Sequence, residues 1–449
     1  MHSDTATNAA RGGGSVLSSH LAGATVHTVR FLFSSLTNYG SLGPSIAVAQ
    51  QLRQRGHEIA FVTGPAMAPL LEQVGLRRIP RGAQDGPSFS VEFTANPLDQ
   101  ARQVKHIEYA MQQFAPDVLV GQAMAFGAVL AGARHKLPAA VIGLASNILV
   151  TQRYLSWLPP EFRSYPVVRM AGMEPYEKMI VERHARLMES YNICCEMLWL
   201  PKRELEPYEQ TPLIGDLHLL QSVPELEVPV ELLQDQTHLV GSCTWGFGGA
   251  DPQLEQWLSE ARASGEPILY TQPGRVFNSP GFWHPMREAL GNRPVRVVAS
   301  TGRLDGEIGE LPSNFFVRPH VSQELVLPHA QAVISSSTTT SVLGALNQGL
   351  PLLLVPGGGG GEQSDMSLRC LAAGVAVHLH PMEVTRESFG QKVDELLSSA
   401  SLRDNARRLQ QAFARAPGSA GAAELLERLG KERRPILRQA PPPPAPSVA

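Results

Sequence analysis

Short apolar runs alternating with helical patterns constrain this chain more than any other feature. The first run, Val29-Arg30-Phe31-Leu32-Phe33-Ser34, is of buried-strand type. A Gly-containing loop follows, Asn38-Tyr39-Gly40-Ser41-Leu42-Gly43, and Pro44 then suits the first position of a helix, where its missing N–H costs nothing. Ile46, Ala49 and Leu52 keep helical spacing to about Arg55, and Gly56 is placed to end the helix in the left-handed conformation. Glu58 to Val62 is the next strand. One strand–helix–strand unit in ~30 residues is the building block of a parallel sheet.

The rhythm recurs. Asp117 to Gly121 reads as a strand, Ala123 to His135 as a helix, and Ala139 to Leu144 and Leu217 to Ser222 as further strands. Residues 151–210, rich in Arg, Glu, Tyr and Trp, read as helices over one end of this half. A second series follows the stretch Trp245-Gly246-Phe247-Gly248-Gly249. Its strands are Ile268 to Thr271, Val295 to Ser300, Phe315 to Arg318, Ala332 to Ser335, Leu352 to Val355 and Val375 to His378. Two doubly wound sheets imply a cleft between two α/β domains, each turning strand C-termini and helix N-termini toward it.

Composition agrees. A length of 449 residues suits two or three domains. The 43% apolar content fills full cores, while 18% charged residues and a net charge of -3 exclude a basic nucleic-acid surface. No apolar run approaches the ~18 residues of a membrane span. Residues 1–25 are small and polar, include Gly12-Gly13-Gly14, and lack a secretory signature, so a disordered leader is expected. The tail 435–449, with Pro441 to Pro444, is low-complexity and expected to be disordered. Cys194, Cys195, Cys243 and Cys370 form no CxxC spacing, which suits free thiols in a reducing cytoplasm and no structural metal.

The strongest candidate site is Ser335-Ser336-Ser337-Thr338-Thr339-Thr340-Ser341, between a strand and the helix expected from Val342 to Gln348. Hydroxyls, free N–H groups and a positive dipole end together suit a diphosphate, although ordinary capping needs only one of these residues. The next loop, Pro356-Gly357-Gly358-Gly359-Gly360-Gly361, permits close backbone approach, and Glu362 and Gln363 could bond sugar hydroxyls; a plain surface loop is the alternative. His57 reads as structural. His106, His184 and His320 could approach the cleft, and the ring of His320 could stack on a base. Tyr154, Trp157, Phe162, Tyr165 and Trp199 line an acceptor pocket or fill the core, with core favoured.

From Leu311 to Val377 the chain resembles the signature region of family 1 glycosyltransferases, especially bacterial ones acting on natural products. Val317-Arg318-Pro319-His320-Val321-Ser322-Gln323 resembles the segment framing the nucleotide base, and Leu327-Pro328-His329-Ala330 the run before the donor loop. Leu346 to Pro356 resembles the following helix end and strand, and Glu362-Gln363 the acidic-Gln pair that holds the donor sugar. In the first half, Phe31 to His57, with Arg55-Gly56-His57-Glu58, and Val223-Pro224-Glu225-Leu226 are similar to the family. The resemblance spans residues 29–430 and implies a GT-B fold, two doubly wound Rossmann-like domains facing a cleft. It implies an acceptor-binding domain at 26–240, a nucleotide-sugar-binding domain at 241–405 and C-terminal helices at 406–434. On the donor side it implies Gly274, His320, Val321, Gln323, Ser336, Ser337, Thr338, Thr339, Thr340, Ser341, Glu362 and Gln363; on the acceptor side Asn38, Tyr39 and Gly40. No cofactor is expected, since the nucleotide-diphosphate sugar enters as co-substrate beside a small, apolar acceptor. A homodimer or a partner protein stays open.

The departures from the family matter as much. Ser41 stands where the family keeps the histidine that takes the acceptor's proton, and Gln122 where many members orient that histidine with an aspartate. Ser336-Ser337-Thr338 stand where the donor loop opens His-Gly-Gly. A serine hydroxyl accepts no proton near pH 7 without a base of its own. Three readings follow: a hexosyltransferase whose acceptor needs little deprotonation, a site doing other chemistry, or a non-catalytic member that binds a ligand or supports a partner enzyme.

Overall fold

The computed structural model describes residues 28–438 except 83–84, 86–88, 90–95, 124, 146–172, 205–210, 247, 275–281, 303–307 and 357–361. The side chains of 173, 175–177, 179–180 and 362 lie outside that description. The first half runs β1 (Arg30–Ser34), α1 (Tyr39–Gln54), β2 (Glu58–Val62), α2 (Ala68–Gln73), β3 (Arg77–Arg78), α3 (Pro97–Phe114), β4 (Val118–Gln122), α4 (Gly127–His135), β5 (Ala139–Ile142), α5 (Met173–Met197), β6 (Leu217–Leu220) and β7 (Thr237–Leu239). The second runs α6 (Pro252–Ser264), β8 (Ile268–Gln272), α7 (Trp283–Leu290), β9 (Arg296–Ser300), β10 (Phe315–Arg318), α8 (Gln323–Val326), β11 (Ala332–Ser335), α9 (Thr339–Asn347), β12 (Leu352–Leu354), α10 (Glu362–Ala372), β13 (Ala376–His378), α11 (Arg386–Ser398) and α12 (Ala400–Arg415). Helix α13 (Gly418–Glu432) closes the described chain.

The strands form two parallel sheets, ordered β3-β2-β1-β4-β5-β6-β7 and β10-β9-β8-β11-β12-β13. In β1, Phe31, Leu32 and Phe33 are all buried, because helices cover both faces of a parallel sheet. The GT-B expectation of two doubly wound sheets therefore holds. Two strands escaped the sequence reading. Arg77–Arg78 and Thr237–Leu239 are short edge strands with little apolar signal.

Two helix starts also differ. Helix α1 begins at Tyr39, and Pro44 lies inside it. Asn38 is the reason: its extended backbone and its Oδ1, which accepts from Ser41 N at 2.8 Å, make a strong cap upstream of the proline. Helix α4 starts at Gly127, after a turn in which Ala125 N donates to Gln122 O.

The C-terminal helices divide between the halves. Helix α12 packs on α9, whereas α13 returns to lie against α1. Leu426 and Leu429 join the cluster of Phe31, Ile46 and Leu52. Glu427 meets His57 Nε2 at 2.8 Å, and Arg55 reaches Glu424 and Glu427; His57 is structural, as its segment suggests. Gly430 lets α13 approach, since a Cβ there would lie 2.9 Å from Val29 Cγ1. Residues 435–438, at the start of the expected tail, are docked on the first half. Ile436 is buried, and the Arg438 guanidinium donates to the carbonyls of Val230, Leu233, Gln234 and Thr237. The leader and residues 439–449 lie outside the described residues.

The halves are joined at an apolar seam. Ala145, Val223 and Leu226 of the first half belong to the same buried cluster as Val342, Leu346 and Met366 of the second. The two chain crossings between the halves touch: Gly418 N donates to Val240 O at 2.7 Å. All four cysteines are free and buried, and burial pushes the Cys194, Cys243 and Cys370 thiols up to about 12. Among the described residues, no helix is long and apolar enough to cross a membrane.

Two outcomes test this architecture. Leu426→Ala should destabilise the protein by about 2–5 kcal/mol in urea unfolding, since a fully buried leucine is truncated. His218, whose Nδ1 lies 3.0 Å from Thr237 Oγ1, is held by burial near a pKa of about 3, with a smaller push from His238. Unfolded, it titrates near 6.5, so its stabilising contribution is complete above that pH and is lost as pH falls toward 3. His218→Asn should flatten the dependence of stability on pH in that window, by up to about 1.4 kcal/mol per pH unit.

Candidate active site

The first wall of the cleft is built at the C-terminal ends of β1 and β4. Asn38 caps α1 with its Oδ1, and its Nδ2 donates to Ser41 Oγ at 3.0 Å. Gln122, buried at the end of β4, is bonded at both ends of its amide. Its Oε1 accepts from Leu36 N at 2.9 Å and Ser35 Oγ at 3.3 Å, and its Nε2 donates to Ser41 O and to Ser45 Oγ. Gln122 therefore splices the turn after β1 to the first turn of α1. A carboxylate there could accept but not donate, so the amide suits this position for structural reasons.

The second wall is the hydroxyl loop between β11 and α9. The helix begins at Thr339, three residues earlier than its sequence pattern suggests, with Thr338 as an extended cap residue. The Thr338 side chain makes no cap bond to the helix N–H groups. The Thr338 hydroxyl instead meets Ser341 Oγ at 3.1 Å, and Ser341 Oγ also meets Ser335 Oγ. The N–H groups of Thr339, Thr340 and Ser341 thus precede the first helical bond, Val342 N to Thr338 O. Ser337 takes a left-handed φ of 66°, uncommon for a residue with a side chain. Its N–H donates to Ser335 Oγ at 3.1 Å. Ser336 and Ser337 are fully buried, and their hydroxyls have no partner among the described residues. Gly274, at φ 55°, stands beside them; a Cβ there would lie 3.7 Å from Ser336 Oγ.

The two walls meet. A Cβ on Gly40 would lie 3.5 Å from Thr340 Cγ2, ordinary van der Waals contact, so the starts of α1 and α9 come within packing distance. The Tyr39 and His320 rings lie 5.3 Å apart across the gap, and Ala145 N donates to Thr339 Oγ1 at 3.2 Å. The starts of α1 and α9 therefore face one another.

Other expected site residues fall less centrally. His320 is exposed against Tyr39, and Val321 is buried with its N–H on Ser300 Oγ. Gln323 turns inward, donating to Gln272 Oε1 at 2.7 Å and packing where Gly344 has no Cβ. Glu362 and Gln363 open α10, beside α9, while the glycines 357–361 lie outside the described residues. Trp199 is 93% exposed and fills no core, contrary to expectation; Tyr154, Trp157, Phe162 and Tyr165 lie outside the described residues. His106 is buried with Nε2 on Ile79 O, and burial lowers its pKa. His184 on α5 is likewise lowered, by burial and then by Arg183.

Comparison with known proteins fits this geometry. Residues 39–158 match the glycosyltransferase family 28 N-terminal domain. The chain is 25% identical over 426 residues to 4'-demethylrebeccamycin synthase of Lentzea aerocolonigenes, covering 89% of this chain and 99% of that one. It is 23% identical over 410 residues to the NDP-glycosyltransferase YjiC of Bacillus subtilis, covering 88% and 95%. Among solved structures, the calicheamicin glycosyltransferase CalG4 superposes with a TM-score of 0.64 at 22% identity, covering 90% of this chain and 99% of that one. The chain is related to bacterial natural-product glycosyltransferases of the GT-B fold.

Within that GT-B frame, local sequence patterns missed two ion pairs that cross the domain boundary. Arg183 on α5 meets Asp365 on α10 at 2.7 Å, and Glu227 meets Arg369 on α10. The only available signal was the spacing of Asp365 and Arg369, which places both on one helix face. The splice made by Gln122 gives a direct test. Gln122→Leu would leave Leu36 N–H and Ser41 C=O without this partner, and should cost about 1–3 kcal/mol in denaturant unfolding. An unchanged midpoint would show that the amide does not hold the wall.

Proposed function

We propose that this protein transfers a hexose from a nucleoside-diphosphate sugar to a small, apolar natural-product acceptor. The observation that carries the reading is the start of α9. The start of a helix whose cap residue makes no side-chain cap bond, with the N–H groups of its first turn and two buried hydroxyls that have no partner among the described residues, lies at the gap between the domains. Such a site stabilises the negative charge that grows on a departing diphosphate, without a formal positive charge of its own. Relatives support the substrate classes: a demethyllactenocin mycarosyltransferase and an oleandomycin glycosyltransferase, both from Streptomyces, share 24% and 23% identity with the chain, and VinC, of TM-score 0.63, was solved with dTDP.

In the transfer, the acceptor's nucleophile bonds to the anomeric carbon as the carbon–oxygen bond to the diphosphate breaks. The acceptor's proton must leave to a base or to solvent. Ser41 supplies no base, and Gln122 is committed to the backbone. We therefore assign the protein to acceptors whose nucleophile is already ionised or is an amine. The committed Gln122 amide also favours a second reading, a glycosyltransferase-like protein with lost or altered catalysis that binds a ligand or supports a partner enzyme. A cytoplasmic setting suits the free, buried thiols.

Calorimetric titration with UDP, TDP and GDP separates the readings: one should bind at micromolar affinity, and silence from all three favours the second. Ser336→Ala should cost about 1 kcal/mol of that binding, one neutral hydrogen bond. Ser336→His should tighten it, and a flat response would show that the loop holds no diphosphate. In transfer assays, neutral alcohols should react at least about tenfold slower than phenolates or amines, a conservative share of what a general base supplies. Ser41→His with Gln122→Asp should narrow that gap, with rates expressed per folded molecule. Vigorous transfer to a neutral alcohol by the native protein would place the base elsewhere.

A further inference from the structure

Helix α10 carries two charged side chains one turn apart, and both pair with the first domain. Asp365 Oδ2 lies 2.7 Å from Arg183 Nη2, their side chains 3% and 12% exposed. Arg369 pairs with Glu227, both essentially inaccessible. The two pairs sit in different surroundings. Glu227 directly follows Leu226, which is packed with Val223 in the buried cluster shared by the domains, so this pair belongs to the apolar seam. Arg183 comes from α5, whose later residues Leu187, Tyr191 and Cys194 are fixed in the first-domain core.

Asp365 stands within one turn of the start of α10, where Glu362 and Gln363 lie. Helix α10 follows β12, and β12 pairs in parallel with β11, which leads into the hydroxyl loop. Val342 and Leu346 of α9 and Met366 of α10 share one buried cluster, so the two helices pack on the same part of the sheet. With a diphosphate on α9 and its nucleoside toward 318–323, the attached sugar falls over the first turn of α10.

We propose that Arg183 and Asp365 are positioning residues for the donor's sugar. Their ion pair fixes the first turn of α10, and Gln363 with it, against an anchored helix of the opposite domain. The sugar site is thereby held by a charged pair between the domains, while the diphosphate site is built on residues of the second. This inference rests on the nucleoside-diphosphate reading above.

The experiment compares UDP and TDP with UDP-glucose and TDP-glucose by calorimetry. Silence of all four toward the native protein overturns the nucleotide reading, and this inference with it, before any variant is made. Given binding, Arg183→Gln should weaken the sugar nucleotide by about fivefold or more, the worth of one ordinary hydrogen bond, relative to the bare diphosphate. Arg183→Lys, which keeps the charge, should recover most of that loss. If Arg183→Gln does not fold, Arg183→Gln with Asp365→Asn removes both charges and is read in the same way. Equal weakening of both ligand types, or unchanged discrimination between them, would show the pair to be merely structural and overturn the proposal.

Discussion

The Glu227–Arg369 pair and the apolar seam beside it fix the relation between the two sheets on which the rest of this structure depends. Both charges are removed from water and are paired with each other there, so breaking the pair is costly. Beside them Ala145, Val223 and Leu226 are buried among residues of the second domain. With that joint set, the start of α1 and the start of α9 are brought to opposite sides of one gap, close enough that a Cβ on Gly40 would touch Thr340 at van der Waals distance. The site exists because of this docking, since neither domain supplies both walls.

The chemistry of the two walls is unequal. The second-domain wall offers N–H groups at a helix start and buried hydroxyls, the kind of dipolar donors from which anion sites are made. The first-domain wall is committed to its own architecture. Asn38 holds Ser41, and Gln122 holds both the β1 turn and the α1 start. One amide here performs two backbone tasks, accepting and donating, which a carboxylate could not combine.

Much of the fold was legible in the sequence because parallel strands buried on both faces read as continuous apolar runs. Phe315–Arg318 and Ala332–Ser335 match their expected bounds. Arg77–Arg78 was not legible, since a two-residue edge strand carries no periodic signal. Helix starts were misplaced where local caps outweighed other cues: Pro44 suggested a later start for α1, and Asn38 set an earlier one. The hydroxyl loop was legible as a candidate, but its unpaired hydroxyls were not, because partners depend on neighbours distant in sequence. The pairs made by Asp365 and Arg369 were hidden for the same reason, their partners lying 182 and 142 positions away.

The contact between Gly418 N and Val240 O has a further consequence. The chain enters the second domain and leaves it at points one hydrogen bond apart. In the order of the chain, that domain is inserted into the first, whose own polypeptide resumes at α13, packed against α1. An inserted unit with adjoining ends can be exchanged as one continuous stretch without rerouting the host. The half bearing the hydroxyl loop is therefore one continuous stretch of chain, tied to its host at both its ends and along the shared seam.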